Sequence, residues 1–106
     1  MAKYLYVGSY TAQGAKGVMQ QGGSARRDAA KKVIESIGGT LESFHFGFGS
    51  DDFYVIFEAP SHAAASALAL TVGGSGAIEG RTVPLIMPEE LDEAARMHPD
   101  YTPPGG

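Results

Sequence analysis

The sequence predicts a single α+β domain built on a four-stranded antiparallel sheet, with its helices on one face of the sheet. Four stretches rich in aromatic and β-branched residues indicate strands: residues 3–10, 40–48, 53–59 and 77–87. Residues 24–37 carry apolar side chains at helical spacing, residues 61–72 are rich in alanine, and a glycine pair follows each stretch. The resulting order β-α-β-β-α-β is the split βαβ arrangement of ferredoxin-like folds.

The stretch between the first strand and the first helix is the hardest to assign. Residues 11–23 contain four glycines. Because glycine disfavours regular helix, we expect a loop there, with a short helical turn between Ala15 and Gln20.

The first helix is predicted over residues 24–37. Ser24 suits its N-cap, because the serine hydroxyl accepts a hydrogen bond from a free backbone N–H. Gly38 and Gly39 end it, since glycine tolerates the left-handed conformation that follows many helices. Its apolar stripe consists of Ala30, Val33, Ile34 and Ile37, with Lys31, Lys32 and Glu35 on the opposite side.

The remaining elements follow from turn residues and prolines. Two strand-like runs around residues 49–52 predict a hairpin. The second helix begins after Pro60, at Ser61. Pro84 predicts an edge position for the last strand, because proline donates no hydrogen bond to a neighbouring strand.

The C-terminal residues predict a short helix and a tail. Residues 88–97 are acidic, and Glu89 and Glu90 fall in the first turn, where the helix dipole favours negative charge. Residues 98–106 are expected to be extended or disordered. We therefore expect one domain over residues 1–97, followed by a tail over residues 98–106.

The composition of the chain excludes several classes of function. The chain has 106 residues, 43% of them apolar, and no cysteine, which excludes disulfides, thiol nucleophiles and cysteine-based metal sites. Its net charge of −4 argues against nucleic-acid binding. The N-terminus lacks a signal-peptide pattern, and the longest nearly apolar run, residues 63–72, is too short for a bilayer. We expect a soluble cytoplasmic protein that binds neither nucleic acid nor membrane.

Both faces of the sheet are expected to be apolar. Phe53, Val55 and Phe57 lie on one side of their strand, whereas Tyr54 and Ile56 lie on the other. Helices cover only one face, and soluble monomers rarely expose a large apolar patch. We therefore expect a homodimer or higher oligomer that forms through the uncovered sheet face.

The order of the elements and four stretches of sequence resemble the GYD-domain family, within the dimeric α/β-barrel group. These stretches are Tyr10-Thr11 and residues 25–44, 48–60 and 87–96, and the likeness spans about residues 3–97. The family is named for a Gly-x-Tyr-Asp-like hairpin, which corresponds here to Gly49-Ser50-Asp51-Asp52. Gly49 and Asp52 match, whereas Asp51 stands where the tyrosine is expected, so a role of that tyrosine does not carry over.

The resemblance implies a ferredoxin-like fold and assembly as a dimer. Related barrels include cofactor-independent monooxygenases, isomerases and amino-acid-sensing modules. Because one fold hosts many functions, the resemblance implies no single activity.

Arg26 is the first candidate ligand-binding residue. At 100° per residue it lies within about 60° of the apolar stripe of its helix, so it points towards the sheet, whereas Arg27 points away. A guanidinium beside a helix N-terminus suits a carboxylate or phosphate. Alternatively, Arg26 extends into solvent from the first turn or pairs with Asp51, Asp52 or Glu58.

His45 and Asp52 are the candidate catalytic residues. Alternation places His45 on the same side of its strand as Leu41, Ser43 and Gly47. Small neighbours leave room for a substrate, and histidine transfers protons near neutral pH. Asp52 could orient His45 or pair with Arg26. The alternatives are a hydrogen-bonded edge or interface histidine and an aspartate that stabilises the turn.

Tyr6 and Tyr10 share one face of the first strand and complete the candidate ligand site. Phenols can orient a ligand by hydrogen bonding, and the alternative is packing in the core or a dimer. His62 and His98 have no metal-ligand partner at recognisable spacing, and the glycine-rich stretches lack the phosphate-loop pattern. We predict neither metal nor cofactor.

Three functions fit these residues. The favoured one is a binding or regulatory module for a small anionic metabolite, with a site between the first helix and the sheet. The second is a cofactor-independent enzyme of oxygenase or isomerase type, in which His45 moves a proton. The third is a structural or interaction protein without a ligand. Catalysis requires a cavity that reaches His45, whereas ligand binding requires only one that contains Arg26.

Overall fold

The computed structural model describes residues 1–106 and contains four strands and four helices. The strands are β1 (Ala2–Tyr10), β2 (Thr40–Phe46), β3 (Phe53–Ala59) and β4 (Ile78–Leu85). The helices are α1 (Ala12–Gln21), α2 (Gly23–Ser36), α3 (His62–Gly74) and α4 (Pro88–Ala95). This order confirms the predicted α+β, ferredoxin-like architecture.

The four strands form one antiparallel sheet in the order β2-β3-β1-β4. β1 is central and pairs with β3 on one side and β4 on the other. β4 is an edge strand, as Pro84 predicts, because its outer side needs no donor at that residue.

The sheet has two different faces, and the pairing register assigns each side chain to one of them. The helix face carries Tyr4, Tyr6, Tyr10, Phe53, Val55, Phe57 and Ile78. The open face carries the apolar or aromatic residues Leu5, Val7, Tyr54, Ile56, Val83 and Leu85 and the polar residues Lys3, Ser9, Thr40, Ser43, His45, Glu58, Glu79 and Arg81. In β3 every helix-face residue is buried, whereas Tyr54 opposite them is exposed. The core therefore lies between the sheet and α2 and α3.

An aromatic cluster around Phe53 forms the centre of the helix face. The Phe53 ring lies 5.0 Å from Tyr10, 5.7 Å from Phe44 and 6.0 Å from Tyr6, measured between ring centroids. Gly8 lies directly beneath it, and a Cβ there would come within 2.3 Å of the ring. The missing side chain of Gly8 is thus what allows Phe53 to lie flat on the central strand.

The helix α1 is longer than the sequence indicates. Instead of a short turn, a continuous helix runs from Ala12 to Gln21. The Thr11 hydroxyl caps it by accepting from the Gly14 N–H at 3.3 Å. Gly22, with φ of +86°, separates it from α2. A good cap and a left-handed glycine at the end outweigh the glycines inside the helix.

The N-cap predicted for α2 is wrong. Gly22 occupies the cap position, and no side chain caps the helix, so Ser24 lies in the first turn instead. The C-terminal end is as predicted: Gly38 has φ of +81°, and the Gly38 N–H donates to the Glu35 carbonyl at 3.0 Å.

A β-bulge corrects the expected face of Leu41. The register between β2 and β3 shifts between Leu41 and Ser43, so Leu41 pairs with Phe57 and packs against the core. Ser43 and His45 keep the open face. β2 also ends at Phe46, two residues earlier than predicted, and Phe48 is fully exposed.

The helix α3 begins as predicted. The Ser61 hydroxyl accepts from the Ala64 N–H at 3.1 Å, and the buried residues Ala65 and Leu68 face the sheet. None of the four helices combines the length and apolar character that a bilayer-spanning helix requires.

The last 21 residues form an arm (residues 86–106) that leaves the rest of the fold, which we call the body (residues 1–85). Every arm residue is exposed, and α4 has no extensive contact with any other element. The radius of gyration is 16.9 Å, whereas a globular chain of this length has about 13 Å. β4 and α4 both end two residues earlier than predicted, at Leu85 and Ala95.

Replacing Gly8 by alanine tests the aromatic cluster. We expect Gly8→Ala to lower the free energy of unfolding by about 1–3 kcal/mol, because the new methyl group would displace the packed Phe53 ring. Gly17→Ala is the matched control, since nothing lies within 4 Å of its Cβ position in α1. It should be neutral or stabilising by up to about 1 kcal/mol. Equal effects in urea denaturation would contradict the role given to Gly8.

Deleting residues 98–106 tests the exposure of the tail. We expect the Tm to change by less than about 3 °C, since exposed segments contribute little to stability. A much larger drop in a thermal melt would show that the tail packs against the fold or against a partner.

Candidate functional site

A cavity of about 300 Å³ opens between α2, α3 and the helix face of the sheet. The two helices lie on the sheet without packing closely against each other. Of the 16 residues that line the cavity, 13 are hydrophobic. Tyr6, Tyr10, Phe44 and Phe53 provide aromatic rings along the sheet. The cavity is therefore a largely apolar slot with an aromatic floor.

Short side chains form part of the cavity walls. Ala29 and Ala30 line it from α2, and Thr71, Val72 and Ser75 line it from the end of α3. Larger side chains, Val33 and Ile34 from α2 and Leu68 from α3, also line the cavity, and the short ones leave part of the space between the helices open.

Arg26 contributes the one charged side chain of the cavity. It lies in the first turns of α2, lines the slot, and is half-buried. No carboxylate lies within 4.0 Å of it, since the ion pairs of the chain involve Lys3, Arg27 and Arg81 instead. The guanidinium is near enough to the Tyr10 phenol to lower the pKa of that phenol, although burial raises it by more. A half-buried cation without a carboxylate partner favours an anionic ligand.

The two phenols of the cavity keep their protons at neutral pH. Burial raises the pKa of Tyr6 above its ordinary value of 10.0. Burial also raises the pKa of Tyr10, while the neighbouring Arg26 partly offsets the shift and the Asp52 carboxylate adds to it. Both groups therefore remain neutral hydrogen-bond donors beside the guanidinium.

Asp52 lies directly before β3 and forms hydrogen bonds with the backbone of β1. Its Oδ2 accepts from the Tyr10 backbone N–H at 2.8 Å, and its own N–H donates to the Gly8 carbonyl at 2.9 Å. The adjacent Asp51 points elsewhere and approaches Arg81 at 3.8 Å. Asp52 forms a hydrogen bond with neither His45 nor Arg26. Its position fixes the end of β1, which carries Tyr10.

His45 lies apart from the cavity. It pairs with Tyr54 in the register, so it projects from the open face, where it is exposed. The structure therefore brings Arg26, Tyr6 and Tyr10 together and places His45 on the opposite side of the sheet. Its catalytic role stays a prediction.

A second, shallower depression lies between α3 and β4. Tyr4, His62, Thr82 and Pro84 line it, and its volume is about 600 Å³. The Tyr4 hydroxyl and His62 Nδ1 form a hydrogen bond of 2.6 Å, so this histidine has a structural partner. No group of three or more histidine or acidic side chains could hold a metal ion.

The aromatic floor is the part of the site that sequence analysis missed. Phe44 and Phe53 follow the same alternation that places Tyr6 and Tyr10, so the pattern could have found them. Ala29 and the small residues of α3 give no such signal, because alanine indicates a close approach of helix and sheet as readily as a gap.

The sequence profile of the GYD domain matches residues 4–95 of the chain. That range includes the body from residue 4 onwards and all of α4. The chain belongs to the GYD domain family. No curated protein sequence gives a match to it.

The residues of the GYD hairpin, Gly49 to Asp52, have separate structural roles. Gly49 has φ of +146°, a conformation that favours glycine. Asp52 holds Tyr10 through the backbone, as described above. Asp51, at the position of the family's tyrosine, lies near Arg81. The two positions that match the family pattern thus stabilise the turn and the strand beside the cavity.

The raised phenol pKa values predict how stability changes in alkali. A group whose pKa is raised by folding holds its proton more tightly in the folded state, so its contribution is lost as pH rises above about 10. We expect the free energy of unfolding to fall more steeply between pH 9.5 and about 11 in the wild type than in Tyr10→Phe. Tyr101→Phe, in the exposed tail, should behave as the wild type. Identical slopes in all three proteins would contradict the burial of Tyr10.

Proposed function

We propose that this GYD-domain protein binds a small, mainly apolar anion in the cavity between α2 and α3. The observation that carries the proposal is Arg26, a cation without a carboxylate partner in an otherwise apolar slot. A carboxylate group of the ligand would supply the missing counter-charge. The apolar part of the ligand would lie on the aromatic floor of the cavity.

The donors around Arg26 favour a carboxylate or a similar planar anion. A guanidinium binds a carboxylate through two parallel hydrogen bonds. The neutral phenols of Tyr6 and Tyr10 can donate further ones. No side chain caps the N-terminus of α2, so the free N–H groups and the dipole of this helix add positive potential nearby.

The size and floor of the cavity favour a compact, flat ligand. Ligand sites measure about 300–1,000 Å³, so this cavity suits a small metabolite. The rings of Tyr10, Phe44 and Phe53 offer stacking or edge contacts to an aromatic ring. Aromatic monocarboxylates are therefore the first ligands to test.

A binding or regulatory role is better supported than catalysis. No histidine or carboxylate lines the cavity, and both phenols hold their protons more tightly than usual. An enzyme of oxygenase or isomerase type would need a base there, and His45 projects from the other side of the sheet. A purely structural role would need side chains that fill the cavity, whereas the body leaves it open.

Pairing of two copies through the open face is part of the same proposal. Leu5, Ile56, Val83 and Leu85 form an apolar strip that no helix of the chain covers. Burying such a strip against a second copy removes apolar surface from water.

A thermal-shift titration with benzoate and phenylacetate tests the anion site. We expect a ligand at 100 times its Kd to stabilise the wild type by about 2.7 kcal/mol, which corresponds to a rise of several degrees in Tm. Arg26→Ala should weaken binding at least tenfold, because the ligand loses its counter-charge. Benzamide, the neutral isostere of benzoate, should bind the wild type no better than it binds Arg26→Ala.

Arg27→Ala is the matched control. Arg27 follows Arg26 in the same helix but is exposed and lies beside Asp28, so its removal should leave binding unchanged. His45→Ala should also bind as the wild type does. Equal shifts in wild type and Arg26→Ala would contradict the proposal, and a loss of binding in His45→Ala would move the site to the open face.

A further inference from the structure

The arm contains the helix α4, which packs closely on no other element of the same chain. Pro88 occupies the first turn of α4, and the Met87 N–H donates to the Glu90 carboxylate at 3.1 Å. Yet an eight-residue helix is unstable alone in water. The sequence therefore specifies a helix that needs a surface outside its own body.

One side of the arm is apolar. At helical spacing, Met87, Leu91, Ala94 and Ala95 share one stripe, whereas Glu89, Asp92 and Glu93 lie on the other side. Met87 and Leu91 are 55% and 61% exposed, so more than half of the surface of each residue is uncovered. An amphipathic stripe of this kind is suited to lie on an apolar surface.

The negative charge of the arm argues against several binding partners for its apolar stripe. The arm holds five acidic residues and Arg96, whereas the body holds seven of each sign, so the net charge of −4 resides in the arm. An acidic helix is repelled by anionic lipid surfaces and by nucleic acid. Two arms side by side would also repel each other, so an arm fits a neutral body better than another arm.

The arm leaves the body beside an apolar strip of the open face. The register places Leu5 opposite Val83 and Lys3 opposite Leu85, and the chain runs directly from Leu85 through Ile86 and Met87 into α4. A second copy that covers the open face would therefore meet the arm at the border of the sheet.

The area of the open face leaves room for such a contribution. Four strands spaced about 4.8 Å apart, with about eight residues rising about 3.3 Å each, give a footprint of about 500 Å². Two open faces alone would bury about 1,000 Å², less than the roughly 1,200–2,000 Å² of specific interfaces. Residues 86–97, as a rod about 18 Å long and 10 Å wide, and the surface that each arm covers would add about 700 Å² for two arms. The sum lies within the usual range.

We propose that the arm of each copy docks on the body of a second copy, with Met87 and Leu91 packed against the border of its open face. The proposal rests on the pairing of open faces proposed above and adds the arms as clasps. The arm is thus the segment that turns a small sheet contact into a stable dimer.

Sedimentation equilibrium of the full chain tests the clasp. Leu91→Gln should raise the Kd of the dimer at least tenfold, because it removes an apolar contact from each arm. Glu93→Gln is the matched control, since it puts the same residue on the polar side of the helix, and it should leave the Kd within about twofold. An unchanged Kd in Leu91→Gln would overturn the clasp while leaving the pairing of open faces intact.

Cross-linking identifies the surface on which the arm lies. The chain has no cysteine, so introduced ones form unambiguous disulfides. Copies carrying Leu91→Cys should cross-link with copies carrying Ser43→Cys, on the open face, and not with copies carrying Ser66→Cys, exposed on α3. Preferential linkage to position 66, or of two Leu91→Cys arms to each other, would overturn the proposal. A monomeric wild type at micromolar concentration would overturn both clasp and pairing, and neither result depends on the anion site.

Discussion

The fit of the Phe53 ring onto Gly8 is the constraint on which the structure depends. Gly8 lies on the central strand, and its missing side chain lets the ring lie flat between Tyr6, Tyr10 and Phe44. The cluster joins β1, β2 and β3 on the face that α2 and α3 cover. Several of the helix residues above the large rings are small, and the two helices pack on the sheet rather than closely against each other. The core and the floor of the cavity are therefore the same set of side chains.

In a mainly apolar cavity of this kind, a single charged side chain has a strong electrostatic effect. The cavity is apolar along most of its length, so an ion inside it is poorly solvated. Arg26 supplies the only charge there, and Asp52, the nearest carboxylate to Tyr10, is engaged with the backbone of that residue. Asp52 thus holds the strand in place, and Arg26 has no carboxylate partner.

Much of the fold follows from local signals in the sequence. Ser61 caps α3, Gly38 ends α2 and Pro84 marks an edge strand, because each of these residues acts through its own backbone or side chain. Arg26 also lies where helical periodicity places it. The predictions that were wrong, for the face of Leu41 and for the N-cap of α2, have a different origin. Leu41 changes face because a bulge shifts the register, and Gly22 replaces Ser24 as the cap because α1 extends to the residue before it. Both depend on the pairing of segments that are distant in sequence or on a neighbouring helix.

The separation of the arm from the body could not be predicted either. Its sequence shows an acidic helix with an apolar stripe, and such a stripe usually packs on the same chain. Whether it does depends on the free space around the end of β4, which the sequence pattern does not contain. The same limitation applies to the cavity, since small residues on a helix indicate a close contact as readily as a gap.

The most direct test of the anion site is an NMR titration with benzoate that follows backbone amides and the Nε–H of Arg26. The account predicts concentration-dependent shifts of the Arg26 Nε–H and of the Tyr10 and Val72 amides, with little change at His45 and Tyr54 on the open face. Shifts confined to the open face, or a resonance of Arg26 that stays in place while others move, would contradict it.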